Sequence, residues 1–483
     1  MMVDELQLLQ EVFQNGEAPD AHAWDVLNQR LSTVMKSEQE LNDGPSGRGY
    51  ATLHVRRRFV VTMIAAAVLI AALVVSINGL GSQSVASASP FRLASLVKFP
   101  GFEASSQSVQ FANHVTCPTS VDCYLVARFM NAPTASAGNN VYSSTDGGST
   151  WQELALPSGT YVETALSCTS SVRCSAGGSR YEGLDANGKP VMNPVFLSTP
   201  NGGESWTVQP FPTPRLGQFQ LLFSPFVTQL SCPSSETCEA LLVVNFGGPG
   251  YSTAVDNVFM RTDDGGQSWS TTILPGQPAP TSGGGLMNSP MNNGMSCPST
   301  QFCVASALLS PMGGSTSIVW RTDDGGATWL VGWLPDGLTS AGPLSCPNSL
   351  HCWIVAGSYG KGSNSQLLES TDGGASWSVR SPQELPTTIN WGSVSCPTDN
   401  NCWLAGEVTG ANRESVVYAS NDGGQTWTNV PLPSAVGVES APLKGIDEID
   451  CNSGLTCVVL GIPAGVSEDG VNEAILTNAP PNA

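Results

Sequence analysis

The sequence predicts an all-β domain assembled from seven repeats, preceded by a short N-terminal region of different character. Three observations carry that prediction. Fourteen cysteines form seven pairs with the same internal spacing. An octet containing Gly-Gly and ending in Trp recurs at intervals that match those pairs. Finally, the composition is turn-rich, with 51 Gly and 34 Pro but only 12% charged residues, which implies many turns and few long helices.

The pairs are Cys117/Cys123, Cys168/Cys174, Cys232/Cys238, Cys297/Cys303, Cys346/Cys352, Cys396/Cys402 and Cys451/Cys457. First cysteines recur every 49 to 65 residues, so this is a repeat architecture. Zinc is the rival use of paired cysteines, but zinc pairs are usually more closely spaced and joined by a second pair or by histidines. The chain has only four His. An even cysteine count on the exported side of a membrane points to disulfides within each pair. Each closes a very short loop, and chain entropy gives about 2 kcal/mol per bridge. No metal and no cofactor is expected.

The octets read "STDGGSTW", "TPNGGESW", "TDDGGQSW", "TDDGGATW", "STDGGASW" and "SNDGGQTW", one inside each of the first six cysteine units. Their acidic or amide position is Asp146, Asn201, Asp264, Asp324, Asp372 and Asp422, and their last residue is Trp151, Trp206, Trp269, Trp329, Trp377 and Trp427. Gly-Gly permits positive φ in a tight hairpin. The carboxylate can accept hydrogen bonds from the turn's own amides. Asn201 can accept the same bonds without a charge, which suits a structural role. The Trp opens the next strand and offers a large apolar plate between neighbouring sheets. Asp263 and Asp323 fill a variable slot, and Arg261 and Arg321 are expected only to decorate the preceding strand.

These octets resemble the Asp-box, or bacterial neuraminidase, repeat. Its relatives include sialidases, xyloglucanases, sortilin-type receptors and photosystem II assembly factors, and they fold as β-propellers. The resemblance covers residues 91 to 483 and implies four-stranded antiparallel blades. In the third unit "FVTQLSC", "CEALLVV", "NVFMRT" and "WSTTILP" read as the four strands, bounded by Gly and Pro. The seventh unit ends after its third strand, "EAILTN", while "FRLASLVKFP" (Phe91 to Pro100) matches the ending of a fourth strand with no box before it. The expected fold is therefore a seven-bladed propeller closed by its N-terminal strand.

In such a blade the disulfide turns and the Asp boxes emerge on one face, and the remaining connections on the other. The second set varies in length, and variable loops on a rigid scaffold are where binding usually resides. The long loops are 177–194, 211–226 and 274–294. With shorter ones at 357–365 and 406–414, they supply Arg180, Tyr181, Arg215, Tyr359, Lys361 and Arg413 as a candidate ligand face. A sialidase needs three convergent arginines, a Tyr nucleophile helped by a Glu, and an Asp acid/base. It also carries a Phe/Tyr-Arg-Ile-Pro motif, for which "FRLA" (Phe91 to Ala94) is a poor match. Arg128, Arg173, Arg180, Arg215, Arg380 and Arg413 do not assemble a triad from sequence, and Glu182, Asp185 and Glu407 are not singled out as a carboxylate pair. No catalytic residue is assigned. The expected function is a non-catalytic binding or scaffold module for a protein, peptide or cell-surface glycan. The alternative is a sialidase-like glycoside hydrolase.

Residues 59–77, "FVVTMIAAAVLIAALVVSI", are uncharged and long enough to cross a bilayer. The preceding "RRR" (Arg56 to Arg58) places the N-terminus in the cytoplasm by the positive-inside tendency. A cleaved signal peptide is the rival, but such a leader would be unusually long. The expected order is a cytoplasmic head of two short amphipathic helices (1–55), a basic flank with a transmembrane signal anchor (56–78), a linker (79–90) and an extracytoplasmic domain (91–483). The head resembles those of small single-pass membrane proteins, some of them anti-sigma factors, but lacks their His-Cys-Cys zinc motif; residues 1–52 are a candidate docking segment for a cytoplasmic partner. A net charge of −20 argues against nucleic acid as a partner.

Overall fold

The computed structural model describes residues 91–96, 109–130, 141–188, 190–212, 220–221, 225–248, 251–276, 291–309, 316–332, 334–357, 365–380, 382, 384–409, 414–434, 443–463 and 474–479. The expected cytoplasmic head and transmembrane segment lie outside them. Among the described residues no helix is long and apolar enough to cross a membrane.

Every described regular element is a strand. The chain opens with β1 (Arg92–Leu96). Blade 1 is β2 (Val109–Thr116), β3 (Cys123–Met130), β4 (Val141–Ser144) and β5 (Gln152–Leu154). Blade 2 is β6 (Thr160–Cys168), β7 (Cys174–Leu184), β8 (Pro190–Thr199) and β9 (Thr207–Pro210). A short β10 (Gln220–Leu221) precedes blade 3, which is β11 (Phe226–Ser231), β12 (Cys238–Gly248), β13 (Tyr251–Thr262) and β14 (Ser270–Ile273). Blade 4 is β15 (Met291–Ser296), β16 (Cys303–Leu309), β17 (Thr316–Thr322) and β18 (Leu330–Gly332). Blade 5 is β19 (Ser340–Ser345), β20 (Cys352–Gly357), β21 (Gln366–Ser370) and β22 (Ser378–Arg380). Blade 6 is β23 (Ile389–Ser395), β24 (Cys402–Val408), β25 (Ser415–Ser420) and β26 (Thr428–Val430). Blade 7 takes β27 (Leu443–Cys451), β28 (Cys457–Pro463) and β29 (Ala474–Thr477), with β1 as its outer strand. This is a seven-bladed β-propeller of four-stranded antiparallel blades, and blade 3 carries β10 as an addition.

The closure inferred from the unfinished seventh unit is present. Arg92 pairs with Thr477 and Leu96 with Ala474, so the two ends of the domain share one sheet. Phe91 is buried in the cluster between blades 6 and 7. The guanidinium of Arg92 donates to the carbonyl of Ala479 and to Ser149 Oγ in the box of blade 1. Closing the ring this way leaves no long free edge at the junction.

First strands of successive blades contact one another around the axis, including β27 against β2. A repeated side chain stitches them. The Ser that precedes the first cysteine of a unit accepts a hydrogen bond from the first-cysteine amide of the next blade. Cys232 thus donates to Ser167, Cys297 to Ser231, Cys346 to Ser296, Cys396 to Ser345 and Cys451 to Ser395, at 2.9 to 3.2 Å. At the closing junction Cys117 N donates instead to Asp450 Oδ2, at 2.9 Å. The Ser of the recurring "SC" dipeptide is thus an inter-blade clamp, a role not apparent from a single unit.

Candidate functional site

All seven cysteine pairs form the disulfides that the spacing predicted, with Cα–Cα separations of 4.0 to 4.2 Å. Each lies at the turn between the first two strands of its blade. In the six boxed blades the first box glycine donates its N–H to a carbonyl of that same turn: Gly147 to Val121, Gly202 to Val172, Gly265 to Glu236, Gly325 to Gln301, Gly373 to Leu350 and Gly423 to Asn400. Boxes and disulfides therefore share one face, as expected.

The box geometry explains its composition. In "TDDGGATW" Thr322 Oγ1 donates to Asp324 Oδ1 and accepts from Gly326 N, at 2.8 and 2.9 Å. Asp324 Oδ1 accepts from Thr328 N at 2.8 Å, and Oδ2 from Thr328 Oγ1 at 2.6 Å. Both glycines have positive φ, 69° and 81°. The second has another constraint: a Cβ on Gly326 would lie 2.2 Å from Phe259 of blade 3. Gly148, Gly203, Gly266 and Gly424 likewise sit on Val458, Leu154, Phe196 and Trp353 of the preceding blade. The box Trp continues that contact, with Trp329 edge-on to Phe259 at 4.7 Å and Trp269 to Phe196 at 5.2 Å. Asn201 reproduces the acceptor pattern, taking bonds from Thr199 Oγ1 at 2.9 Å and Ser205 N at 3.0 Å. The carboxylates are held below their ordinary range; Asp264 falls to about 2 because Ser268 donates to it through hydroxyl and amide and Thr262 adds a third bond. These acids are anchored acceptors within a turn. The chain is an Asp-box β-propeller.

Comparison with known proteins agrees at the level of the repeat. Residues 347–451, from the disulfide turn of blade 5 to the inner strand of blade 7, match the family model of the photosynthesis system II assembly factor YCF48. No curated protein matches the chain. Similar solved structures include YCF48 bound to D1 peptide (18% identity, 83% of this chain and 100% of that one, TM-score 0.45). YCF48 from Cyanidioschyzon merolae is similar too, at 14% identity over 80% of this chain and 98% of that one, TM-score 0.45. The GH74 enzyme of Niastella koreensis matches at 15% identity over 76% of this chain and 53% of its own, TM-score 0.46.

One expectation about the box segment needs correction. Arg261 does not merely decorate its strand, and the doubled acid beside it has a role. Its guanidinium donates to Glu239 at 2.7 Å, to the carbonyl of Thr300 in the disulfide turn of blade 4 at 2.6 Å, and to both oxygens of Asp263. Glu239 is fully buried, and burial pushes its carboxyl up to about 8 against the pull of Arg261. Arg321 pairs with Asp323 at 3.2 Å in the same way. The first Asp of each "DDGG" thus neutralises an Arg; in blade 3 that Arg also bridges two blades. Glu239 lies close to the sulfurs of Cys297 and Cys303, but these are joined as a disulfide and offer no thiolate to a metal.

On the opposite face, part of the segment read as a long loop, 177–194, is strand. β7 and β8 continue as a hairpin well beyond the body of blade 2, pairing Arg180 with Asn193 and Leu184 with Pro190. Arg180 and Tyr181 sit on its rising arm. The Arg180 side chain is half-exposed, 3.7 Å from Glu182, and Tyr181 N donates to the carbonyl of Gly159. Asp185 shapes the tip, accepting from Asn187 N at 2.8 Å. Arg215, Tyr359, Lys361 and Arg413 lie outside the described residues. The structure adds a feature missing from the sequence reading: β12 and β13 of blade 3 form a second extended hairpin, pairing from Cys238↔Thr262 out to Gly248↔Tyr251. Consecutive blades thus raise two long hairpins on the face away from the boxes.

The other arginines point to different tasks. Arg92 serves the closure, Arg173 lies in a disulfide turn on the box face, and Arg128 is on β3. Arg380 pairs with Glu369 beside a cleft of roughly 630 Å³ between blades 5 and 6, lined also by His351, Trp353, Asp399 and Asp422. This cleft is on the box face and falls within the family-matching segment, so the box face is not featureless. Glu182 and Glu407 belong to blades 2 and 6 and form no pair.

Proposed function

We propose that the propeller is a non-catalytic binding module that holds a protein or peptide on the face bearing the extended hairpins of blades 2 and 3. The observation that carries this reading is that those two hairpins project from consecutive, disulfide-turned and mutually clamped blades, a rigid platform of the kind that positions binding segments. The match of residues 347–451 to an assembly-factor family supports it, since YCF48 is recorded bound to a D1 peptide. Anchored through residues 59–77, the module would present this face outside the membrane, with residues 1–52 available to a cytoplasmic partner. A photo-crosslinking amino acid at Tyr181, on the hairpin, is expected to capture a discrete protein in cells, whereas the same group at Val172, on the box face, is not. Adducts confined to Val172 would reverse the assignment of faces.

A further inference from the structure

The two hairpins differ along their outer edges. In each blade the fourth strand covers the outer side of the third, but in blades 2 and 3 that cover stops short. β9 pairs with β8 only over Val195–Ser198, and β14 pairs with β13 only over Val258–Arg261. After β14 the chain demonstrably leaves: Leu274 is buried in the core of blade 4, and Trp320 Nε1 of that blade donates to the carbonyl of Pro275 at 2.7 Å. Among the described residues no strand pairs with the outer side of β13 over Tyr251–Asp256, while its inner side is laddered to β12 at Tyr251 and from Ala254 onward, with a register shift between them. On β8 the equivalent stretch carries Pro190 and Pro194, which remove amides and blunt an edge. The sequence 251–256, "YSTAVD", has no proline.

We propose that the outer edge of β13 over Tyr251–Asp256 receives an extended segment of a partner protein as an added strand. The hydrogen-bonding pattern specifies the occupant. An edge presents alternating N–H and C=O groups along its length, and only another extended backbone satisfies them together. Six residues is an ordinary strand length. The stretch aligns with the line of β14 and lies on the hairpin face, so the added strand would extend blade 3 outward. The chain's net charge of −20 favours a segment with basic flanks. This inference rests on the binding reading above and adds its mode.

Short random peptides displayed on phage, selected on the full-length chain in detergent, supply the probe. Selected peptides are expected to slow amide exchange in residues 251–256. N-methylation of alternate peptide amides should weaken binding in one parity and spare it in the other. In this chain Ala254→Pro and Val255→Pro form a matched pair, because both lie in the regular part of the ladder and adjacent amides there face opposite sides. The variant that loses an outward amide should keep the wild-type melt and bind about tenfold more weakly, the effect of one or two main-chain hydrogen bonds. Selected peptides that leave exchange at 251–256 unchanged would overturn the proposal. So would protection without peptide that disappears when residues 277–290 are deleted, which assigns the edge to the chain's own segment, or protection that grows with chain concentration, which assigns it to a second copy. A protein captured at Tyr181 equally well by both proline variants would sink the edge proposal and leave the binding reading standing.

Discussion

His114 Nδ1 lies 2.9 Å from Glu448 Oε1, across the junction where the last blade meets the first. The other ring nitrogen is 2.9 Å from the carbonyl of Leu166, which can only accept, so Nε2 carries hydrogen. Nδ1 then faces a carboxylate, an arrangement that favours the protonated ring. Burial alone would lower the imidazole, but Glu448 and the carbonyl of Leu166 raise it to about 9. Glu448 Oε2 accepts from Val115 N and Asp450 from Cys117 N, so acidic side chains do at this junction what serine hydroxyls do at five others. Asp447, beside them, is also raised, by burial and by Glu448.

The pH dependence of stability follows with a definite sign. The His114 contribution is complete below its ordinary value of 6.5 and is lost as pH rises through about 9. Asp450 is pushed up to about 7, chiefly by burial, so the folded state holds its proton longer than the unfolded chain and stability also falls between 3.8 and about 7. Thermal melts should therefore be highest in mild acid and decline towards pH 9. His114→Gln is expected to flatten the upper part of that slope, where the wild type loses on the order of 3 kcal/mol. An unchanged slope in the variant would remove His114 as its origin.

Arg261 and Glu239 should show strong non-additivity. Arg261→Met leaves the buried Glu239 carboxyl, already held neutral up to about 8, without its hydrogen-bond donor and is expected to cost about 1 to 3 kcal/mol. The double variant Arg261→Met with Glu239→Leu removes both buried polar partners and should recover most of that loss. Urea melts of the two single variants and the double close the cycle.

The Asp box gives a graded series. Asp324→Asn mimics the natural Asn201 and should lower the melting temperature little, whereas Asp324→Ala removes the acceptor of Thr328 N and Oγ1 and should lower it more. Gly326→Ala should exceed both, because its Cβ meets Phe259 at a backbone φ of 81°. A Gly326→Ala variant that melts like the wild type would mean the box acts only through its carboxylate.

Removal of residues 91–96 takes away the outer strand of blade 7 and the Arg92 contacts to Ala479 and Ser149. The domain should then melt at lower temperature and with less cooperativity, and proteolysis should begin in blade 7. A single unchanged transition would show that the ring does not depend on this strand.

The blade count, the disulfide pairing, the shared face of boxes and cysteines and the closing strand were all legible before any coordinates. Each is written in a local, repeated pattern: a fixed Cys spacing, a Gly-Gly turn with its acceptor, and a unit missing one strand whose match stands at the other end of the domain. Tertiary structure was needed wherever a residue acts on a different blade. The Ser of "SC", the second box glycine and Arg261 have local contexts that look like ordinary turn or strand residues, yet they touch a neighbour some forty to seventy positions away. Of the candidate loop residues, Arg180 and Tyr181 lie on a hairpin rather than a loop, and the companion hairpin of blade 3 was hidden because its strands simply run longer than the repeat requires. Repetition in the sequence determined how many blades there are and how each is turned. Where blades clamp one another, and where an edge is left open, depended on side chains and strand ends meeting across the ring, and such meetings leave no periodic trace in the chain.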